Sequence, residues 1–268
     1  MIKFDRYPEG KRFAVTFSYD DGNTADLRLI EIFNKYNLKA TFNLVSGRLG
    51  HNTVVSEDDV KKYYVGHEVA CHGQNHLHLE RMPADIQLSE ILEDRRALER
   101  VTGRLVRGMA YPYGTSDDDT VRAAKSCGIA YARDIRSTGG YSTPSDFMMW
   151  HPTCHHLDAV PIAEKFVESA TDKNQSWMDG GLLYIWGHSY EFDRNDNWDL
   201  IEKICSLVSG LGEVWYATNI EICDYLTAQR GLIFSADKRG VFNPSSTDVW
   251  ISSDGAPVKI GAGCMVTL

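Results

Sequence analysis

Short apolar runs alternate with amphipathic stretches over most of the chain. Seven runs read as buried strands: Phe13–Phe17, Ala40–Val45, Glu68–Cys71, Val106–Tyr111, Ala130–Arg133, Leu182–Trp186 and Val214–Ala217. Between them lie helical patterns. In Ala25–Asn37, residues Leu29, Ile32, Phe33 and Tyr36 share one face of a 3.6-residue period. Pro83–Val101 opens with a proline in its first turn, carries Leu88, Ile91, Leu92 and Leu98, and stops before Gly103. Ser116–Cys127 begins with Ser and three Asp residues, suited to the positive end of a helix, and ends at Gly128. Further helices read at Val160–Ala170, Trp198–Val208 and Asn219–Gln229.

Strands that alternate with helices predict βαβ units and a largely parallel sheet. Seven strands within residues 1–230 predict an α/β fold of the (β/α)7 barrel type, with an open doubly wound sheet as the alternative. Residues 231–268 differ in texture. Short strand-like pieces at Gly231–Phe234, Asp248–Ser252, Pro257–Ile260 and Met265–Leu268 are separated by turn residues, and Asp254-Gly255 is a hairpin signal. This tail is expected to be a small C-terminal β appendage packed on the barrel.

Composition narrows the class. The 268 residues are 43% apolar and 24% charged, as in ordinary globular chains, which excludes disordered, collagenous and coiled-coil classes. A net charge of −9 argues against nucleic acid as the partner. No stretch approaches the ~18 to 20 apolar residues of a membrane span. The six cysteines have no paired spacing, so a disulfide scaffold is not expected. Met1–Pro8 has no apolar signal-like core, so the expected location is cytoplasmic, or secreted if a leader has been removed. Oligomeric state leaves no trace in the sequence.

The polar outliers sit where strands end. The first strand runs into Asp20-Asp21-Gly22: a plain turn taken alone, but also two acids at one mouth of the sheet. The third runs into His72-Gly-Gln-Asn-His76, whose i, i+4 spacing would bring two imidazoles together on a helical turn. With the acidic pair nearby, a metal site outweighs a chance pair of histidines. His67 and His78 read as bystanders. Tyr111-Pro112-Tyr113-Gly114 reads as a rigid loop able to aim a backbone N–H at an oxyanion. His188, after an apolar strand, is a candidate general acid or base, with a buried core histidine as the bland reading. Cys154-His155-His156 reads as a loop near the substrate or a chance cluster rather than a second metal site.

In this order the motifs resemble those of the polysaccharide deacetylase (NodB-homology) superfamily, carbohydrate esterase family four, over residues 10–230. The matching pieces are Thr16–Gly22, His72 and His76, Pro112–Gly114, and Leu182–His188. The resemblance implies a distorted barrel and a set of roles. Asp21, His72 and His76 would bind a divalent metal. Zinc is usual in the family, and cobalt, nickel, manganese or iron also suits such donors. Asp20 would be the base that takes a proton from the activated water. The metal and the Tyr113 amide would stabilise the oxyanion, and His188 would protonate the leaving group.

The sequence also departs from the family pattern. An Arg usually precedes the Pro of the third motif by two residues; here that position is Ala110, so Arg133 and Arg136 become the candidates to orient Asp20. The fourth motif is met only loosely by Asp146 and Trp150, which leaves the partner of His188 open. Tyr111, Pro112, Trp150, Trp186 and Tyr190 are expected to line the substrate site. The reading is a metal-dependent hydrolase acting on an acetylated mono-, oligo- or polysaccharide, with N-acetylhexosamine favoured. O-acetyl sugar esterase, small amide or imide hydrolase, and a catalytically weak sugar-binding module are the competitors.

Overall fold

The computed structural model describes residues 1–172 and 180–268. Its central layer is a curled parallel sheet built from β2 (Phe13–Asp20), β3 (Thr41–Leu44), β4 (Glu68–Cys71), β5 (Gly108–Ala110), β6 (Tyr131–Arg133), β7 (Cys154–His155), β8 (Gly181–His188) and β9 (Val214–Tyr216). The strand order is β6-β5-β4-β3-β2-β8-β7, and β9 pairs with the first half of β2, which β3 leaves free. The curl is closed by residues 150–155. Trp150 exchanges backbone hydrogen bonds with Ala132 and Asp134 at the β6 edge, and Cys154 and His155 pair with β8. The result is a distorted (β/α)7 barrel.

Helices α1 (Asp26–Lys35), α2 (Glu57–Tyr63), α3 (Ala84–Thr102), α4 (Asp118–Ser126), α5 (Ala159–Thr171), α6 (Tyr190–Arg194), α7 (Trp198–Val208) and α8 (Asn219–Arg230) lie along the connections. Strand β2 shows how the sequence builds the two layers. Alternate side chains point to opposite faces of a strand. Phe13, Val15, Phe17 and Tyr19 join the apolar cluster shared with the helices, with Phe17 against Phe33 of α1 and Phe13 against Phe166 of α5. Thr16, Ser18 and Asp20 take the other face, inside the barrel, where Thr16 meets Asn219 and Ser18 meets Asn43.

The expected helices and strands are present to within a few residues. Elements missing from the sequence reading are α2, α6 and β7, together with β1 (Ile2–Lys3) and β11 (Gly240–Phe242). The two- and three-residue strands are too short to show a period. The tail forms β10 (Ile233–Phe234), β11, β12 (Val249–Ser253), β13 (Ala256–Ile260) and β14 (Met265–Thr267) in two small antiparallel sheets, β10-β11-β14 and β1-β12-β13. The hairpin signal is realised: Asp254 and Gly255, both with positive φ (51° and 85°), turn β12 into β13. Trp250 of β12 is tied to α8 by bonds to Tyr225 and Gln229.

The barrel interior is polar towards its lower end. Glu68 is buried there and accepts hydrogen bonds from Thr41 and Tyr131 hydroxyls (2.8 Å each) and the Ile220 amide (2.9 Å). Burial outweighs these bonds and pushes its carboxyl up to about 7. A carboxyl raised in the folded state stabilises fully below its unfolded value, and that stabilisation is lost as pH rises through the folded one. Wild-type unfolding free energy should therefore fall by about 2 to 3 kcal/mol more than that of Glu68→Gln between pH 5 and pH 8. Chemical denaturation at the two pH values checks this. An identical pH dependence in both proteins would contradict it.

Candidate active site

Asp20 ends β2 and lies wholly inside the barrel mouth. Arg133, at the end of β6 and equally buried, donates to both its carboxylate oxygens, and Asn43 of β3 donates to Oδ1 at 2.8 Å. Burial pushes the carboxyl up, but Arg133, His72 and His188 outweigh it and hold the group at about 2. Ala110 and Arg133 are directly paired across β5 and β6. The guanidinium thus enters from the strand beside the one the family pattern uses. Arg136 does not reach Asp20. Its guanidinium meets His151 and its amide donates to Asp134, so that candidate is corrected.

Asp21 leaves the strand with φ 76°, a left-handed turn that swings its carboxylate away from Asp20. Its Oδ1 lies 3.5 Å from His76 Nε2 and 3.8 Å from His72 Nε2, yet is buried without a hydrogen-bond partner. His72 Nδ1 lies 2.8 Å from the Ala110 carbonyl. With the Nδ1–H assigned to that bond, Nε2 turns a lone pair towards His76 Nε2, 3.2 Å away. Burial and His72 lower the His76 pKa to about 4. Two imine nitrogens and an orphaned carboxylate oxygen facing one point are a donor set that fits a divalent cation. The single negative charge and two neutral nitrogens leave coordination positions free for water or substrate.

The helical turn expected for His72–His76 is instead a loop, with Gly73 at φ 77° and His76 at φ 57°. Its shape comes from α3. Asp94 accepts from the His72 amide at 2.9 Å, and Glu90 accepts from the Asn75 amide at 2.8 Å. The two histidines converge because two acids one helical turn apart hold the loop.

His188 ends β8. Its Nε2 lies 4.0 Å from Asp21 Oδ2, and its Nδ1 lies 3.0 Å from Glu191 Oε1. Burial lowers the imidazole pKa, but Glu191, Asp20 and Asp21 outweigh it, and the net shift is upward. Asp146, the loose fourth-motif match, instead caps the Met148 amide at 2.8 Å. Glu191 is the group the sequence reading missed, although its i, i+3 spacing from His188 was a signal.

Tyr113 sits in the Pro112–Gly114 turn at φ 60°. A side chain at Gly114 would collide with Ile135, so only glycine closes this turn. His78, expected to be a bystander, stacks on the Tyr113 ring at 3.7 Å. A cavity of about 310 Å³ joins these groups, with Trp186, Tyr190 and Ile135 as apolar walls. Tyr111 contributes to its floor, but its buried hydroxyl donates to the Met148 carbonyl and is not offered to a ligand. Pro112, also expected to line the site, is instead buried within the turn and does not line the cavity. Trp150 is a correction: at 1% exposure it is packed among Tyr131, Phe147 and Tyr184, away from the cavity. Barrel closure took it inward.

A curled parallel barrel with Asp, Asp and two His at the carboxyl ends of its strands defines the class: a distorted (β/α)7 fold with a candidate metal centre at its mouth. Residues 7–132 match the family described as polysaccharide deacetylase, the one the motifs resembled. YxkH of Bacillus subtilis (strain 168), named as a polysaccharide deacetylase, is 26% identical over 130 residues, which are 48% of this chain and 46% of that protein. A bifunctional xylanase/deacetylase of Pseudobutyrivibrio xylanivorans is 29% identical over 101 residues, 37% of this chain and 16% of that one. The chain thus spans less than half the length of either curated relative. A Mycobacterium smegmatis protein assigned to the polysaccharide deacetylases shares the fold, with TM-score 0.62 at 18% identity over 84% of this chain and 93% of that one. Among the described residues, no helix is long and apolar enough to cross a membrane.

Metal-stripped protein should take up one zinc per chain in a calorimetric titration. His72→Ala should weaken binding by more than the roughly 10- to 100-fold typical of an outer-shell change. Equal affinity in the variant would remove His72 from the donor set.

Proposed function

We propose that the protein removes acetyl groups from an acetylated carbohydrate, with an N-acetylhexosamine unit as the favoured substrate. The observation that carries this reading is the buried, unpartnered Oδ1 of Asp21 facing the Nε2 atoms of His72 and His76. Asp20 and His188 flank it. The match of residues 7–132 to the polysaccharide deacetylase family supports the reaction class.

Asp21, His72 and His76 would hold a divalent cation, with zinc the first choice. When bound, it supplies Lewis-acid polarisation of the acetyl carbonyl and lowers the pKa of water. Asp20 receives the proton of the attacking water. Arg133 and Asn43 keep its carboxylate ionised and fixed, so its acceptor oxygen is ready without rearrangement. The Tyr113 amide, in its rigid turn on the cavity wall, is assigned as an oxyanion donor. His188 gives a proton to the departing nitrogen or oxygen. An upward-shifted imidazole supports this role, and it matters most for a poor leaving group such as an amine. Trp186 and Tyr190 supply apolar faces for a sugar ring.

The test is acetate release from a panel of N-acetyl and O-acetyl sugars by chelator-treated and zinc-restored protein. Release that returns with zinc and is fastest on N-acetylhexosamine oligomers is expected. Asp20→Asn should keep its zinc and lose roughly 100- to 10,000-fold in turnover. Preference for O-acetyl sugars would make it an esterase. No release from any sugar would overturn the reading in favour of an imide substrate or a binding role.

A further inference from the structure

His155 ends the short strand β7 beside β8, His156 follows it, and the assigned deacetylation chemistry uses neither. Their imidazoles converge on Glu191, which lies on α6 just after His188. His156 Nε2 lies 3.2 Å and His155 Nε2 3.3 Å from Glu191 Oε2, while the other carboxylate oxygen, Oε1, faces His188 Nδ1 at 3.0 Å. One carboxylate is therefore surrounded by three imidazoles.

The cluster is built into the fold. His156 is completely buried, with its ring stacked on Phe192 at 4.4 Å and lying parallel to Tyr19 at 5.9 Å. Gly187, the residue before His188, leaves room for it: a Cβ there would lie 2.0 Å from His156 Nδ1. His155 packs edge-on against Trp186 at 4.8 Å. His156 thus reaches Glu191 only because β8 has no side chain at position 187. Arg194 is the nearby cation from solvent, 3.9 Å from Oε1 and largely exposed.

We propose that Glu191, flanked by His155 and His156, is a positioning residue that fixes the His188 ring with its Nδ1–H on Glu191 and its Nε2 towards the cleft. A carboxylate free to rotate would leave His188 able to flip or to change tautomer. A carboxylate whose second oxygen is packed against two imidazoles presents one acceptor in one direction. The logic is that of an acid oriented by a buried carboxylate, as in the catalytic triad, with the orienting group itself anchored. This inference rests on the deacetylase reading for its kinetic consequence but not for its geometry.

The experiment compares zinc-loaded wild type and Glu191→Gln on two acetyl donors, an N-acetylated chito-oligosaccharide and 4-nitrophenyl acetate, whose leaving group needs no acid. The variant is expected to lose roughly 100-fold in kcat on the amide. Its loss on the ester should be far smaller, with KM little changed. Equal losses on both, or none on the amide, would overturn the proposal. Zinc content should be one per chain in both proteins. Two in the wild type falling to one in the variant would instead make His155, His188 and Glu191 metal ligands, and would also overturn it. A long-range 1H–15N spectrum of the imidazoles reads the geometry without turnover. His188 should carry its proton on Nδ1 in the wild type and shift towards the other tautomer in Glu191→Gln; an unchanged His188 pattern contradicts the proposal. Wild type inactive on both donors, with the tautomer shift present, would sink the deacetylase reading and leave the positioning role standing.

Discussion

A carboxylate buried at the end of the central strand must be compensated, and much of the barrel mouth follows from how Asp20 is compensated. An isolated ionised carboxylate in an apolar interior is too costly to keep; it would protonate instead. Arg133 and Asn43 supply the counter-charge and the hydrogen bonds. Such a pair adds little net stability over apolar packing, but losing one partner typically costs about 3 to 5 kcal/mol because the other charge is stranded. Its worth here is positional. It links β2 to β6 across the mouth and keeps Asp20 ionised and still beside Asp21 and His72. Directly after it, the left-handed backbone of Asp21 turns the second acid towards His72 and His76.

The same constraint spreads outward. Beneath Asp20 the interior carries polar layers, with Ser18 bonded to Asn43, and Thr16 to Asn219. Around the rim, acids hold the chemistry-bearing histidines: Asp94 and Glu90 hold the 72–76 loop, and Glu191 holds His188. Each histidine offered to the cleft by the sequence motifs is therefore shaped by a carboxylate from a helix.

Much of this was legible in the sequence, for identifiable reasons. Trp198–Val208 matches its helix because a clean 3.6-residue period is a strong local signal, and Asp254-Gly255 marked its hairpin because few residues accept two positive φ angles. Helix α2 escaped because Glu57-Asp58-Asp59-Val-Lys-Lys has one apolar residue to show, although its Ser56–Asp59 capping box was readable. The i, i+4 pair His72 and His76 was found by a spacing rule that the structure does not obey: they meet through a loop. Arg133 could be named as a candidate but not chosen over Arg136, because the choice depends on strand register. Ala110 lies opposite Arg133 only once β5 and β6 are paired. Trp150 was misplaced for a similar reason, since the closure of the barrel through residues 150–155 is not a local property.

That register relation allows the central claim to be tested by moving the guanidinium. Because Ala110 and Arg133 are paired neighbours on parallel strands, their side chains share a face, and an arginine at 110 is expected to approach Asp20 from beside Arg133's position. The measurement is zinc-dependent acetate release by Arg133→Ala and by the exchange variant Arg133→Ala with Ala110→Arg. The account predicts that the single variant loses most of its turnover and that the exchange variant recovers a substantial part of it. Full activity in Arg133→Ala would show that Asp20 needs no guanidinium partner, and would contradict the account.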